Sequence, residues 1–168
     1  MKNQSEHYKY PNKILFADGH EDTCSLVSYL LKPFGYEVTT VNDMSHALRI
    51  ARAANYDLYM VACTLTEGSG IELCEKLREF DRRTPILFWS ARVYESDRQR
   101  ALNAGVNLFL RKPCDYDAIP TIILQLIHES QQLQLVKVER ASGESDRPVP
   151  LGFQPTCDGF AQFPQPEH

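Results

Sequence analysis

The chain has 168 residues, which suits one domain of ordinary size together with some additional sequence. With 43% hydrophobic and 24% charged residues it has the composition of soluble globular proteins, which excludes a fibrous repeat or a wholly disordered chain. A formal net charge of −4 argues against nucleic acid as a partner. Without a run of about 20 apolar residues or a leader-like amino terminus, we expect a cytoplasmic protein that does not enter a membrane.

Short apolar runs alternate with amphipathic segments through most of the chain. The run KILFA at residues 13–17 is typical of a buried strand, and residues 26–31 carry leucine and valine at helical spacing until Pro33 and Gly35 end the pattern. The same alternation then repeats as YEVTTV with SHALRIARAA, DLYMVA with GIELCEKLREF, and PILFW with ESDRQRALNAG.

A fifth strand, NLFLRKP, precedes a helix that we expect to begin near Asp117 and to carry Pro120 in its first turn. The following LQLVKVER suits the end of that helix and a short strand equally well. Strands that alternate with helices of this length are joined by crossovers, so the sequence predicts a doubly wound α/β fold around a parallel sheet.

The two ends of the chain differ from the middle. We predict an amino-terminal extension at residues 1–11, a folded domain at 12–138 and a flexible Pro/Gly-rich tail at 139–168, with no second core for a DNA-binding output domain. Phe153, Phe160 and Phe163 in the tail could dock on a partner, fold back on the domain or make no contact.

Ligands of open α/β sheets bind beyond the carboxyl ends of the strands. That rule brings together Asp18 after the first strand, Ala62 at the end of the third, Ser90 at the end of the fourth and Lys112 at the end of the fifth. An acid, a hydroxyl and an amine should therefore converge. The acidic segment DGHED disfavours a flavin or nucleotide phosphate there.

Four segments occur in order along residues 12–130: ILFADGHED, YDLYMVACTLTEGSGIELC, TPILFWSAR and AGVNLFLRKP. Together they resemble the receiver domain of bacterial two-component response regulators. The resemblance implies a flavodoxin-like sheet of five strands in the order 2-1-3-4-5, with helices on both faces. It also implies a signalling rather than an enzymatic role, a partner such as a histidine kinase or another regulator, and the option of a homodimer through the last two helices.

In that family two adjacent acids and an aspartate on the third strand hold magnesium, and the aspartate accepts a phosphoryl group. By position, Asp18 matches the first acid, Ser90 the hydroxyl and Lys112 the lysine that bind the phosphoryl oxygens, and Phe109 the aromatic switch. The resemblance thus assigns these residues to a phosphoacceptor pocket.

The pocket departs from the family at two positions, because Gly19 stands at the second acid and Ala62 at the phosphoacceptor. A methyl group cannot form an acyl phosphate, and Asp18 with water would bind Mg²⁺ weakly at most, so we expect no cofactor. With those acids gone, Asp18 is the expected partner of Lys112, and we hypothesise that their ion pair fixes the pocket in one conformation.

Other interpretations of the same residues remain open. Asp18 could instead cap the first helix, Ser90 and Lys112 could be remnants that only keep loops in place, and Phe109 could be a plain core aromatic. Thr64 could substitute as acceptor, whereas strand alternation predicts that Cys63 points away from the pocket.

The histidine and cysteine content predicts no metal centre. The five cysteines include no C-x-x-C pair, as expected of reduced thiols, and a soft-metal site built from His20 and Cys114 matches no known ligand spacing.

The sequence thus favours a stand-alone pseudo-receiver in two-component or phosphorelay signalling that acts through protein contacts. Two alternatives stay open. One is a phosphate-responsive receiver, through Thr64 or through an anion on Ser90 and Lys112; the other is a small-molecule domain on a flavodoxin-like sheet.

Overall fold

The computed structural model describes residues 11–91, 94–112 and 116–141. Within them lie five strands: β1 Lys13–Ala17, β2 Glu37–Val41, β3 Leu58–Ala62, β4 Ile86–Ser90 and β5 Leu108–Arg111. Five α-helices alternate with the strands: α1 Glu21–Leu31, α2 Met44–Ala53, α3 Gly70–Phe80, α4 Glu95–Asn103 and α5 Ile119–Ala141.

All neighbouring strands of the sheet are parallel, and their order is β2-β1-β3-β4-β5. The predicted doubly wound fold and its strand order are therefore confirmed. In the part of the chain that the structure describes, no helix combines the length and apolarity that a membrane crossing requires.

The core occupies both faces of the sheet, which is why the central strands are continuous apolar runs rather than alternating ones. Along β1, Ile14 and Phe16 pack with α1 and α5, whereas Leu15 and Ala17 pack with α2, α3 and α4. Every residue of β3 and of β4 is buried. The carboxyl ends of these strands therefore sit on a rigid support.

The structure defines two helix ends. The first α-helix ends at Leu31, and a 3₁₀ turn over Lys32–Phe34 continues it through Pro33 to Gly35, whose φ of 79° ends the turn as the sequence pattern predicts. At the other end of the domain, α5 follows a 3₁₀ turn at Tyr116–Ala118 and is helical through the ambiguous segment LQLVKVER. The helix α5 continues to Ala141, past the predicted domain end at residue 138. The predicted domain limits stay a prediction. The tail phenylalanines lie outside the described residues.

Arg78 on α3 fastens the amino-terminal edge of the sheet. Its guanidinium donates to the carbonyl oxygens of Gly105 at 3.0 Å, Asp81 at 2.9 Å and Thr84 at 2.8 Å, and to Asn107 Oδ1 at 2.9 Å. One side chain thus joins α3 to the loops that lead into β4 and β5.

Candidate functional site: the cleft at the carboxyl edge

A cleft of about 360 Å³ opens at the carboxyl ends of the central strands. The described residues that line it are Asp18, His20, Ala62, Cys63, Thr64, Trp89, Ser90, Ala91 and Lys112. The structure therefore brings together the acid, the hydroxyl and the amine that the strand-end rule selects.

The Asp18 carboxylate is 1% exposed, and each of its oxygens has a partner. Oδ2 accepts from Lys112 Nζ at 2.8 Å, and Oδ1 lies 3.0 Å from both the backbone nitrogen and Nδ1 of His20. Asp18 and Lys112 therefore lie within hydrogen-bond distance, as the expected ion pair requires. The N-cap residue of α1 is His20, whose backbone nitrogen donates to Asp18 Oδ1, so a contribution of Asp18 to the start of the helix stays a prediction.

Two further groups hold the backbone of Asp18 in place. Its carbonyl oxygen accepts from Asn42 Nδ2 at 2.9 Å and from Cys24 Sγ at 3.4 Å. Burial, and then the Asp18 charge, raise the pKa of the Cys24 thiol, so this cysteine stays protonated as a buried structural group.

The Lys112 ammonium lies between the Asp18 carboxylate and an indole. Its Nζ is 4.2 Å from the centroid of the Trp89 ring, and the side chain is 22% exposed. The Lys112 backbone nitrogen also donates to Ser90 O at 2.8 Å, which holds the end of β5 against β4. The sequence does not point to Trp89 as a cleft residue, because a tryptophan in an apolar strand is typical of a core.

Ala62 ends β3 in a tightly packed position. Its side chain is 4% exposed, and it pairs in register with Trp89 on β4. A Cβ on Gly70 would lie 1.9 Å from the Ala62 carbonyl oxygen, so only glycine lets α3 begin this close to the end of β3.

Gly19 also supports a close backbone contact. Its nitrogen donates to Thr64 O at 3.0 Å, and an added Cβ would lie 3.0 Å from the Leu65 carbonyl carbon. An acid at this position would therefore require the loop after β3 to move. The glycine that replaces the second acid is therefore also the residue that allows the loop after β3 to lie this close.

Ser90 and Phe109, the two residues assigned to a switch, differ in their position relative to the cleft. Ser90 is 2% exposed, ends β4 and lines the cleft, whereas Phe109 is half-buried, packs against the core and is not among the described lining residues. The Phe109 ring stacks on Phe88 with centroids 5.5 Å apart. These contacts are those of a core aromatic, and a switching role for Phe109 stays a prediction.

Cys63 follows the alternation of β3. It packs against the same core layer as Tyr59 and Val61, as strand alternation predicts, and it borders the cleft together with Thr64. His20 is 71% exposed on its side chain, and no group of three His, Cys, Asp or Glu in the described ranges could hold a metal ion; Cys114 lies outside those ranges.

A groove of the same volume lies at the opposite edge, between the ends of α2 and α3. Several of its polar groups have partners: Tyr59 Oη donates to Asp81 Oδ2 at 2.9 Å, and the Arg52 guanidinium lies 4.8 Å from the Phe80 centroid. Burial alone would raise the pKa of Asp81, but hydrogen bonds led by those from Thr84 outweigh it and lower the pKa. We therefore place the candidate site at the carboxyl edge.

The protein-family model described as the response regulator receiver domain matches residues 14–124. The chain belongs to this family. Receiver domains take part in two-component signalling, so this coarser expectation is confirmed for the chain.

The relatives are longer proteins. The chain is 34% identical over 113 residues to the sensor protein EvgS of Escherichia coli O157:H7, which covers 67% of this chain and 9% of EvgS. It is 35% identical over 101 residues to the alkaline phosphatase synthesis transcriptional regulatory protein PhoP of Bacillus subtilis, or 60% of this chain and 42% of PhoP. The chain thus spans less than half the length of these two relatives.

Solved structures share the fold. A CheY-like receiver domain protein from Methanospirillum hungatei matches with a TM-score of 0.70 and 20% identity, covering 73% of this chain and 98% of the other. The receiver domain of the sensor histidine kinase PA1611 from Pseudomonas aeruginosa, which has a magnesium ion in its active site cleft, matches with a TM-score of 0.66 and 28% identity. That match covers 71% of this chain and 99% of the other.

Proposed function

We propose that this receiver signals without phosphorylation of its cleft and acts by binding a protein partner in a two-component pathway. The observation that carries the proposal is the ion pair between Asp18 and Lys112, 2.8 Å apart beside the methyl group of Ala62. The lysine that would otherwise neutralise a phosphoryl group already has a buried carboxylate as its counter-charge.

The donor set of the cleft also argues against magnesium. Among the described residues that line it, Asp18 is the one carboxylate, and both of its oxygens already have partners. Mg²⁺ requires near-octahedral oxygen coordination and leaves water reluctantly, so a site with one engaged carboxylate is a poor match.

The family relationship supports a kinase or another regulator as the partner. A second copy of the chain is a further candidate, because α4 and α5 each present an exposed leucine, Leu102 at 41% and Leu124 at 38%. If these helices form a homodimer, the chain sediments as a dimer and Leu124→Asp sediments as a monomer. A monomer at every concentration of the unaltered chain overturns this version.

Exposure to a small phosphodonor tests the proposal. The full chain is incubated with acetyl phosphate and Mg²⁺ and its intact mass is measured beside the variants Ala62→Asp and Thr64→Ala. We expect no phosphoryl adduct on the unaltered chain, whereas Ala62→Asp restores a carboxylate that can accept the group. An adduct on the unaltered chain that disappears in Thr64→Ala would establish the phosphate-responsive alternative instead.

Non-covalent anion binding is the remaining phosphate-dependent alternative, since Ser90 and Lys112 line an open cleft. When inorganic phosphate is titrated into the labelled chain, the NMR signals of Ser90 and Lys112 should stay unchanged if the ion pair with Asp18 holds Lys112. Saturable shifts that are lost in Lys112→Met would favour an anion-sensing receiver.

A further inference from the structure

Trp89 lines the cleft on one side and contacts the partly exposed Tyr116 on the other. The residue is 0% exposed, and its ring lies 6.2 Å from Phe16 and 5.9 Å from Tyr116, between centroids. Its indole Nε1 has no hydrogen-bond partner among the described residues. Ring contacts and the Lys112 ammonium, rather than a hydrogen bond, therefore set the orientation of this indole.

Lys112 connects this indole to the charge of the cleft. Its ammonium touches the Asp18 carboxylate at 2.8 Å and stands 4.2 Å from the centroid of the Trp89 ring. A change at Asp18 that draws the ammonium away from its present position also removes it from the indole, because one group makes both contacts.

Tyr116 carries the contact outward. Its ring meets Trp89 edge-on, at an interplanar angle of 89°, and 39% of the residue is exposed. It belongs to the 3₁₀ turn that leads directly into α5. A shift of the indole therefore reaches the surface after one further ring.

Phe109 is on the other side of the sheet. It packs with Phe88 in the core layer shared with α2, α3 and α4, whereas Trp89 packs in the layer shared with α1 and α5. Adjacent residues of a strand point to opposite faces, so Phe88 and Trp89 cannot share one aromatic cluster.

We propose that Lys112, Trp89 and Tyr116 form a contact path from the cleft to the surface, and that Tyr116, not Phe109, reports the state of the cleft. This inference deepens the proposed function, since it concerns the regulation of the same cleft. Asp18 and Lys112 set the charge of the cleft. Trp89 is the positioning residue between Lys112 and Tyr116, and Tyr116 is the exposed end of the contact path.

The test follows side-chain signals by NMR in the full chain. Trp89 is the one tryptophan of the sequence, so its indole gives a single resonance and a single fluorescence signal. Lys112→Met removes the charge and retains an unbranched chain. We expect this variant to shift the Trp89 indole and the Tyr116 ring signals and to leave the Phe109 ring signals within error.

Lys112 and Tyr116 are also close along the chain, so an effect could pass along the backbone and not through the Trp89 ring. Double variants separate these two routes. In a Trp89→Leu background, Lys112→Met should no longer shift Tyr116, whereas in the matched Phe109→Leu background the Tyr116 shift should persist. A Tyr116 shift that survives Trp89→Leu, or a Phe109 shift without a Tyr116 shift, would overturn the proposal.

If Trp89→Leu does not fold, the surface variant Tyr116→Leu provides a second test of the contact path. Coupling is reciprocal, so Tyr116→Leu should change the Trp89 emission maximum, and it should reduce the emission change that Lys112→Met causes. Unchanged emission in Tyr116→Leu contradicts the path. The phosphodonor experiment does not involve Trp89, so failure of the path and failure of the proposed function are distinguishable.

Discussion

Replacing Lys112 with methionine should lower the free energy of unfolding by about 2–4 kcal/mol. Among the described residues, the variant leaves the Asp18 carboxylate, 1% exposed, with His20 as the hydrogen-bonding neighbour of its side-chain oxygens. Removing one partner of a fully buried pair costs roughly 3–5 kcal/mol, and the 22% exposure of the Lys112 side chain places the expected loss somewhat lower.

The reverse deletion should cost less. Asp18→Asn leaves the Lys112 ammonium, which reaches solvent and the Trp89 ring, so we expect a loss of about 1–2 kcal/mol. The double variant buries no unpaired charge, and its loss should be smaller than the sum of the two single losses by roughly 1–3 kcal/mol.

Urea unfolding of the four proteins, followed by circular dichroism, measures this cycle. Single losses that add within about 0.5 kcal/mol would refute the reasoning, because independent sites add to that accuracy. Such a result would mean that the 2.8 Å contact between Lys112 and Asp18 contributes no coupling in solution.

Three further perturbations test the scaffold. Gly70→Ala places a Cβ 1.9 Å from the Ala62 carbonyl oxygen and should cost at least about 2 kcal/mol in urea unfolding. The control Gly35→Ala meets no atom within 4 Å and should cost about 1 kcal/mol for its positive φ alone; equal losses contradict the packing argument. Arg78→Lys cannot reproduce the four guanidinium contacts and should cost about 2–3 kcal/mol in the same assay, so a loss near zero would exclude its role as a tie. Because the folded-state pKa of Asp81 is lowered, its stabilising contribution is present above about pH 4 and is lost as the pH falls through the folded value. Asp81→Asn should therefore lose less stability than the unaltered chain over that acid range, and identical acid titrations of stability would contradict it.

The sequence predicts the fold and most of the cleft for a physical reason. Central strands covered on both faces need continuous apolar runs, and the carboxyl ends of parallel strands converge at one edge, so Asp18, Ser90 and Lys112 could be placed together. Their separation in the chain, 94 positions between Asp18 and Lys112, does not matter once the strand order is known.

The contact that sequence reasoning missed depends on how a charged group and an aromatic ring pack in three dimensions. Trp89 has the signature of a core residue, and only the structure shows the Lys112 ammonium against its ring. The position of the one tryptophan directly before Ser90 was the available signal.

The most direct test of the account is an NMR titration of the labelled chain with Mg²⁺ and then with beryllofluoride, which imitates a phosphoryl group on a receiver aspartate. The ion pair between Asp18 and Lys112 predicts that neither addition causes saturable chemical-shift changes at Asp18, Ser90 or Lys112. Saturable shifts at these residues that extend to Phe109 would contradict it, since a ligand-driven switch would then operate without the missing aspartate.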